Sequence, residues 1–363
     1  MGLFDSAAPD SDEGSSAELA KLLKSPVVLV TDASGVARSI VAIAQGFVRF
    51  DPSVNVAAMI CNRIGGRGHL ELLRQSHPEI PIAGGFPQAD DGAFSERHLG
   101  LFGADATNLP DGLIERWGSL AEEWLDLDSI IGLARSAAEL PEPPGLAQPA
   151  PPSTRCRIGI AFDEAFHFYY DANLALLEAA GAALVRFSPV HDHHVPEVDG
   201  LYFGGGYPEA AAADLSGNVA MLQGICDFAS RGRPIYAECG GLMYLSDGIR
   251  NLDGTTFPMA GIIPGIAVMR ESLQAIGYVE VETQAASFLG PKGMRWRGHQ
   301  FRYSVLEPKA AEIVQRLYSV IPRWGRERFR EGYCRGNVVA SYVHAHWASN
   351  PEVAANFVTA CAA

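Results

Sequence analysis

Residues 233–248 read RPIYAECGGLMYLSDG. A short run of β-branched and aromatic residues, PIYAE, meets Cys239, then two glycines, then LMYL, the apolar start of a helix. A strand that turns sharply into a helix through small residues lifts the turn residue above the sheet edge. It also aims the following backbone N–H groups at whatever that residue attacks. The spacing predicts a nucleophile elbow with Cys239 at its tip and Gly240 and Gly241 allowing the close turn. Ala237 stands two positions earlier, where glycine is usual. The plainer reading of Cys239 is a small buried thiol. The elbow reading requires a parallel sheet whose strand ends share one edge.

The neighbouring sequence supplies such a sheet. CRIGIAFD (156–163) reads as a strand and NLALLEAAGAALVRFSP (173–189) as a helix, a glycine stop and a strand. VDGLYFGGGYPE (198–209) is a strand ending in three glycines, and NVAMLQGICDFASRG (218–232) is a helix. GNVVASYVHAHWAS (336–349) reads as one late strand running into a polar loop. Upstream, SSAELAKLLK (15–24) is a helix with Ser15 and Glu18 in capping-box spacing. PVVLVTDAS (26–34), VNVAAMICNR (54–63) and IPIAGGFP (80–87) are buried strands, alternating with helices at 36–50 and 68–76. The proline-rich segment 138–155 separates the two halves. The expected fold class is α/β with two doubly wound domains: 1–140, a linker at 141–154, and 155–363.

A formal net charge of −14 argues against a broad basic surface for nucleic acid or anionic membrane. No apolar run is long enough to span a bilayer, and the N-terminus lacks the basic start and apolar core of a signal peptide. The six cysteines are far apart, with no CxxC pair, so neither a disulfide framework nor a zinc site is indicated. A cytoplasmic location is expected.

A cysteine nucleophile needs a base, and a helix N-terminus is expected to lower its pKa. His344 and His346 lie at a strand end that a parallel sheet brings to the elbow's edge. Gly204, Gly205 and Gly206 end another strand there, and their N–H groups, with that of Gly240, are candidate donors to an oxyanion. Taken singly, each is ordinary: a buried thiol, loop histidines, a flexible turn. Together they favour a site. Arg295, Arg297 and Arg302 are candidate carboxylate partners or plain surface charge.

These residues resemble a class I glutamine amidotransferase domain, and more closely the cobyrinic acid a,c-diamide synthase family. The matching pieces are DEAFHFYYDANLALLEAAGA (163–182), VDGLYFGGGYPE (198–209), YAECGGLMYL (236–245), GHQFRYS (298–304) and SYVHAHWASNPE (341–352). In the first half they are MGLFD (1–5), residues 14–39, CNRIGG (61–66) and ERHLGL (96–101). The resemblance implies that Cys239 attacks the glutamine side-chain amide, that His344 manages the proton, and that ammonia leaves from a glutamyl thioester. It implies a dethiobiotin-synthetase-like P-loop domain that uses ATP and Mg2+ to activate carboxylates of a tetrapyrrole dicarboxylate. The usual second motif is His-x-Glu. Here it is His344-Ala345-His346, as in a Cys–His dyad, so His346 either orients His344 or faces substrate. Trp347 and Gln300 replace the more frequent phenylalanine and glutamate, the second leaving the role of the GHQF loop open.

No G-x-x-x-x-G-K-[ST] phosphate loop occurs in the 363 residues. In the family it lies upstream of MGLFD. The expectation is a misassigned start, with a truncated gene as the alternative, and a chain less stable than one extended upstream. Asp5, Asp32 and Asn62 are the synthetase-domain candidates. Asp32 reads equally as a helix-capping aspartate. Asn62 is a candidate contact to the nucleotide base, with a turn-forming asparagine as the alternative. No metal ligand is certain. Amidation of sirohaem or nickel-sirohydrochlorin, a glutaminase or tetrapyrrole-binding module without ATP chemistry, and an unrelated Cys–His hydrolase are the alternatives. A homodimer is left open.

Overall fold

The computed structural model describes residues 2–6, 10–88, 112–140, 153–307, 314–323 and 327–363. The ERHLGL stretch and residues 141–152 of the expected linker lie outside them. The chain divides into two compact units, Met1–Leu146 and Ala147–Ala363.

The first unit carries strands β1 (Val27–Asp32), β2 (Val56–Ile64) and β3 (Ile82–Pro87) in a parallel sheet of order β1-β2-β3. Helices α1 (Ser16–Leu23), α2 (Ser39–Phe50), α3 (Arg67–Gln75), α4 (Leu113–Trp124) and α5 (Leu127–Arg135) accompany them. The cap of α1 forms as its sequence predicts: Ser15 Oγ accepts from the Glu18 N–H at 3.0 Å. The Glu18 carboxylate returns to Gly14 N–H rather than to Ser15.

The second unit begins with β4 (Cys156–Ala161), α6 (Asp171–Ala179), β5 (Ala182–Phe187), β6 (Gly200–Phe203), α7 (Ala212–Gly217), α8 (Val219–Ser230), β7 (Ile235–Glu238) and α9 (Gly240–Leu245). Strands β8 (Ser246–Arg250), β9 (Thr256–Pro258), β10 (Ile263–Met269), β11 (Ala275–Thr283), β12 (Arg295–Arg302) and β13 (Ser304–Glu307) follow. The last elements are β14 (Gln315–Pro322), β15 (Phe329–Arg335), β16 (Val338–Ser341), β17 (His344–His346) and α10 (Glu352–Cys361). Ten strands form one sheet of order β17-β12-β11-β14-β15-β16-β7-β6-β4-β5. From β16 to β5 it is parallel, the doubly wound part; from β17 to β16 the pairs are antiparallel. A smaller sheet, β13-β10-β8-β9, follows the elbow helix.

Two expectations are corrected here. The stretch 336–349 is two strands, not one. β16 joins the parallel sheet beside β7, and the chain then bends at Tyr342–Val343 so that β17 pairs with β12 at the far edge. The GHQF segment is part of strand β12 rather than a loop. Both follow from long-range pairing that local hydrophobic pattern does not encode.

Strand β7 is buried along its whole length. Behind it Tyr202, Tyr236, Trp347 and Phe357 form an aromatic core, with Trp347 ring centroids 5.4 Å from Tyr202 and 5.1 Å from Tyr236. Trp347 is therefore a packing residue that anchors the chain just after β17. Among the described residues, no helix is long and apolar enough to cross a membrane.

Candidate active site

The elbow is real and strained. Cys239 has φ 48° and ψ −99°, a region that residues with a Cβ rarely adopt. The surrounding backbone holds it there. Its N–H donates to the Ser341 carbonyl at 2.7 Å, and its carbonyl accepts from the Met243 N–H at 3.1 Å. Gly241 N–H donates to the Gly204 carbonyl at 3.1 Å, tying the turn to the glycine run at the end of β6. A Cβ on Gly241 would sit 2.6 Å from the Phe203 carbonyl oxygen, so only glycine allows this approach. A Cβ on Gly240 would lie 3.1 Å from Gly206 N, which places the two backbones side by side next to Cys239.

The histidine arrives from β16. Ser341 stands opposite Glu238 in the parallel ladder, and three residues later His344 opens β17 opposite His299 of β12. The His344 ring is buried, and a Cβ on Gly205 would meet its Cε1 at 2.3 Å. The glycine run thus has the elbow on one side and His344 on the other. His299 lies flat on His344, with centroids 4.7 Å apart and planes 12° from parallel. Tyr170 OH is hydrogen-bonded to His299 Nδ1 at 2.7 Å. His346, half-buried, stands edge-on to Tyr170 at 4.9 Å. The ring stacked on His344 is therefore that of His299, which the sequence reading did not single out.

Electrostatics describe a resting neutral pair. Burial pushes the His344 pKa down to about 3, with the His299 ring adding to the shift. Burial pushes the Cys239 thiol up to about 12; the Glu209 charge adds, while Arg302 and the Gly240 N–H oppose. The expected lowering by the helix N-terminus is overturned. Helix α9 has six residues, and desolvation outweighs what its first turn supplies. The Sγ–H donates weakly to the Phe301 carbonyl at 3.8 Å. A direct check follows. Alkylation of Cys239 by iodoacetamide, followed by peptide mass mapping, should keep accelerating beyond pH 9, past the ordinary thiol value of about 8.5. A rate that levels off below pH 8 would contradict this environment.

The buried carboxyls were also missed. Glu238, directly before the cysteine, accepts from Ala345 N–H at 2.9 Å, Tyr236 OH at 2.8 Å and Tyr202 OH at 3.1 Å. Glu331 accepts from Ser341 OH at 2.5 Å and Tyr342 N–H at 2.7 Å, bracing the bend between β16 and β17. A glutamate inside an otherwise apolar strand is a signal available from sequence, since that residue type is almost never fully buried without a partner. Gln300 is buried, and its Nε2 has no hydrogen-bond partner among the described residues.

Of the arginines, Arg295 is engaged by Glu282 at 2.6 Å and Glu280 at 3.5 Å, which is surface charge balance. Arg297 stands opposite both Glu280 and His346 in the ladder. Arg302 lies over the Tyr342 ring at 4.5 Å and donates to the Ser304 carbonyl.

In the first unit, Asp32 and Asn62 are ladder partners at the C-terminal ends of β1 and β2. Asp32 caps no helix, since α2 begins after Arg38. Its carboxylate accepts from Ser34 N–H at 2.9 Å and pairs with Arg63 at 2.5 Å. Asn62 Oδ1 accepts from Arg63 N–H at 3.0 Å, and Asp5 accepts from Gly2 N–H at 2.5 Å. Among the described residues no three acidic, histidine or cysteine side chains gather as a metal site. With a guanidinium already on Asp32, this donor set does not fit Mg2+ as it stands.

The comparisons with known proteins bear on the same residues. A family model described as the CobB/CobQ-like glutamine amidotransferase domain matches residues 157–352, which contain the elbow, the glycine run and both β17 histidines. The cobyrinate a,c-diamide synthase of Leptospira interrogans (serovar copenhageni) is 46% identical over 361 residues, covering 99% of this chain and 79% of that protein. The chain belongs to the cobyrinate a,c-diamide synthase family. Two further members agree. The Syntrophotalea carbinolica protein of that name is 44% identical over 369 residues (99% and 80% coverage), and the Dehalococcoides mccartyi one 40% over 367 (99% and 79%). Membership of the cobyrinate a,c-diamide synthase family thus extends across both units, not the cysteine-bearing one alone.

Proposed function

We propose that the chain is an ATP- and glutamine-dependent amidoligase of the cytoplasm. It converts the a and c acetate carboxylates of cobyrinate or hydrogenobyrinate, a tetrapyrrole dicarboxylate, into amides on the route to cobalamin. The observation that carries the reading is the strained Cys239 elbow with His344 packed against the same glycine strand end. Its support is family membership over almost the full chain.

The glutaminase half follows from the site. Glutamine enters with its side-chain amide over Cys239. The thiol gives its proton to His344 as sulfur bonds to the amide carbon. Charge gathers on the carbonyl oxygen, for which the Gly206 and Gly240 N–H groups are the candidate donors, since the Gly205 N–H, also expected as one, already donates to the Phe168 carbonyl at 3.2 Å. His344 then returns the proton to the departing nitrogen, the C–N bond breaks, and ammonia leaves a glutamyl thioester. Water attacks that thioester, glutamate departs, and the thiol is restored. A thiol near 12 and an imidazole near 3 exchange no proton at rest.

The amidation half needs the carboxylate activated, and ATP would supply that activation as an acyl phosphate. The described residues of the first unit do not form a Mg2+ site.

The test is an assay with cobyrinate, ATP, magnesium and glutamine, read by product mass. A gain of two amides with matching glutamate release is expected. Glutamate release with cobyrinate unchanged would contradict the ligase reading and leave a glutaminase. A second variant probes the site geometry: Gly205→Ala should lower kcat for glutamine hydrolysis about tenfold or more, because its Cβ displaces the His344 ring. Wild-type kcat in a folded Gly205→Ala protein would refute the assigned position of His344.

A further inference from the structure

We propose that Glu238 is a positioning residue for His344: by accepting the Ala345 N–H it fixes the peptide that carries the base in register with the nucleophile. The proposal rests on the glutaminase reading above and goes beyond it.

The geometry is specific. Glu238 ends β7 and is bonded covalently to Cys239. Its Oε1 accepts from Ala345 N–H at 2.9 Å, and Ala345 directly follows His344. One residue thus touches the nucleophile through the chain and the base through a hydrogen bond. Strand β17 is the last of its sheet, paired only with β12, so the N–H and C=O of Ala345 need partners from elsewhere. Glu238 takes the N–H, and Asn173 Nδ2 donates to the C=O at 2.7 Å. Asn173 Oδ1 also accepts from Trp347 N–H at 2.8 Å. The three-residue strand is held by buried side chains instead of a further strand.

The choice of a carboxyl is costly. Glu238 is 2% exposed, and among the described residues no ion pair includes it. Burial pushes its pKa up to about 7 despite three hydrogen bonds that pull it down. An apolar side chain with phenylalanines facing it would avoid that penalty. What such a core would lack is an acceptor for Ala345. Tyr202 and Tyr236 supply the other two hydrogen bonds, so the carboxyl is satisfied on both oxygens and its rotamer is locked.

Three variants separate positioning from mere packing. Glu238→Gln keeps an acceptor for Ala345 and should hold kcat for glutamine hydrolysis within about threefold of the parent. Glu238→Leu should lower kcat about tenfold or more with KM little changed, because glutamine contacts remain while the base drifts. Glu238→Leu alone strands two tyrosine hydroxyls and loses stability. The combined E238L/Y202F/Y236F protein removes them and should regain the melting temperature without regaining kcat. Y202F/Y236F with Glu238 intact loosens the carboxyl but keeps the acceptor for Ala345, and its kcat should stay well above that of the combined variant. Recovery of kcat in the combined variant, or full kcat in Glu238→Leu, would overturn the positioning role. Amide hydrogen exchange at Ala345 gives a readout independent of turnover. Exchange should quicken in both leucine variants and stay slow in Glu238→Gln. If the parent hydrolyses no glutamine, the glutaminase reading fails on its own. Unchanged Ala345 protection in the combined variant then overturns the Glu238 proposal separately.

Discussion

Cys239→Ser is expected to reduce glutamine hydrolysis by about 10³-fold or more, with the fold intact. The substitution is nearly isosteric and leaves the backbone bonds to Ser341 and Met243 in place. The chemistry is what changes. A serine hydroxyl gives up its proton less readily than a thiol and is the weaker nucleophile, so the same base does not activate it equally well. Glutamate release measured by a coupled dehydrogenase reads the loss. Amidation supported by an ammonium salt should survive, since free ammonia bypasses the cysteine. Glutamine-supported amidation at the parent rate in Cys239→Ser would remove Cys239 from its assigned role.

His344→Ala is expected to lower kcat by about 10²–10⁴-fold, the usual span for a positioned acid–base group. KM for glutamine should move little, because the ring packs on Gly205 and the His299 face and its role is proton transfer rather than binding. The sign of the pH effect is fixed by burial. A base with a pKa near 3 is already neutral at every pH above about 4, so its protonation imposes no fall in kcat/KM between pH 8 and pH 6. The variant should therefore lose rate evenly across that window instead of changing the profile's acid limb. Ring size also matters at this position: the space His344 vacates lies between Gly205 and the His299 face, so added imidazole should restore part of the rate.

Local pattern made the parallel core legible. Apolar runs located β1 to β7 to within a few residues; β1, expected to be buried on both faces, is instead only partly covered, with Val30 61% exposed, and β5 is likewise half-buried. The elbow was legible for a similar reason: few sequences place Cys-Gly-Gly between a buried strand and a helix. The antiparallel wing was not legible. Its strands read e-B-e-B, as half-buried strands do, but nothing local says that β17 pairs with β12. That pairing alone brings His299 onto His344, so the stacked histidine stayed hidden. The thiol's pKa was misjudged on the same account. A helix N-terminus is visible in sequence, whereas the burial that overrides it depends on tertiary packing, in which β12 brings the Phe301 carbonyl to the thiol.

The most direct test is to trap the intermediate. The chain is mixed with glutamine, quenched in acid within its turnover time and examined by intact and peptide mass spectrometry. A gain of one glutamyl group on the Cys239 peptide, removable by hydroxylamine and absent in Cys239→Ser, is the predicted result. Glutamate formed with no acyl group on Cys239, or with the acyl group on another residue, would contradict the account.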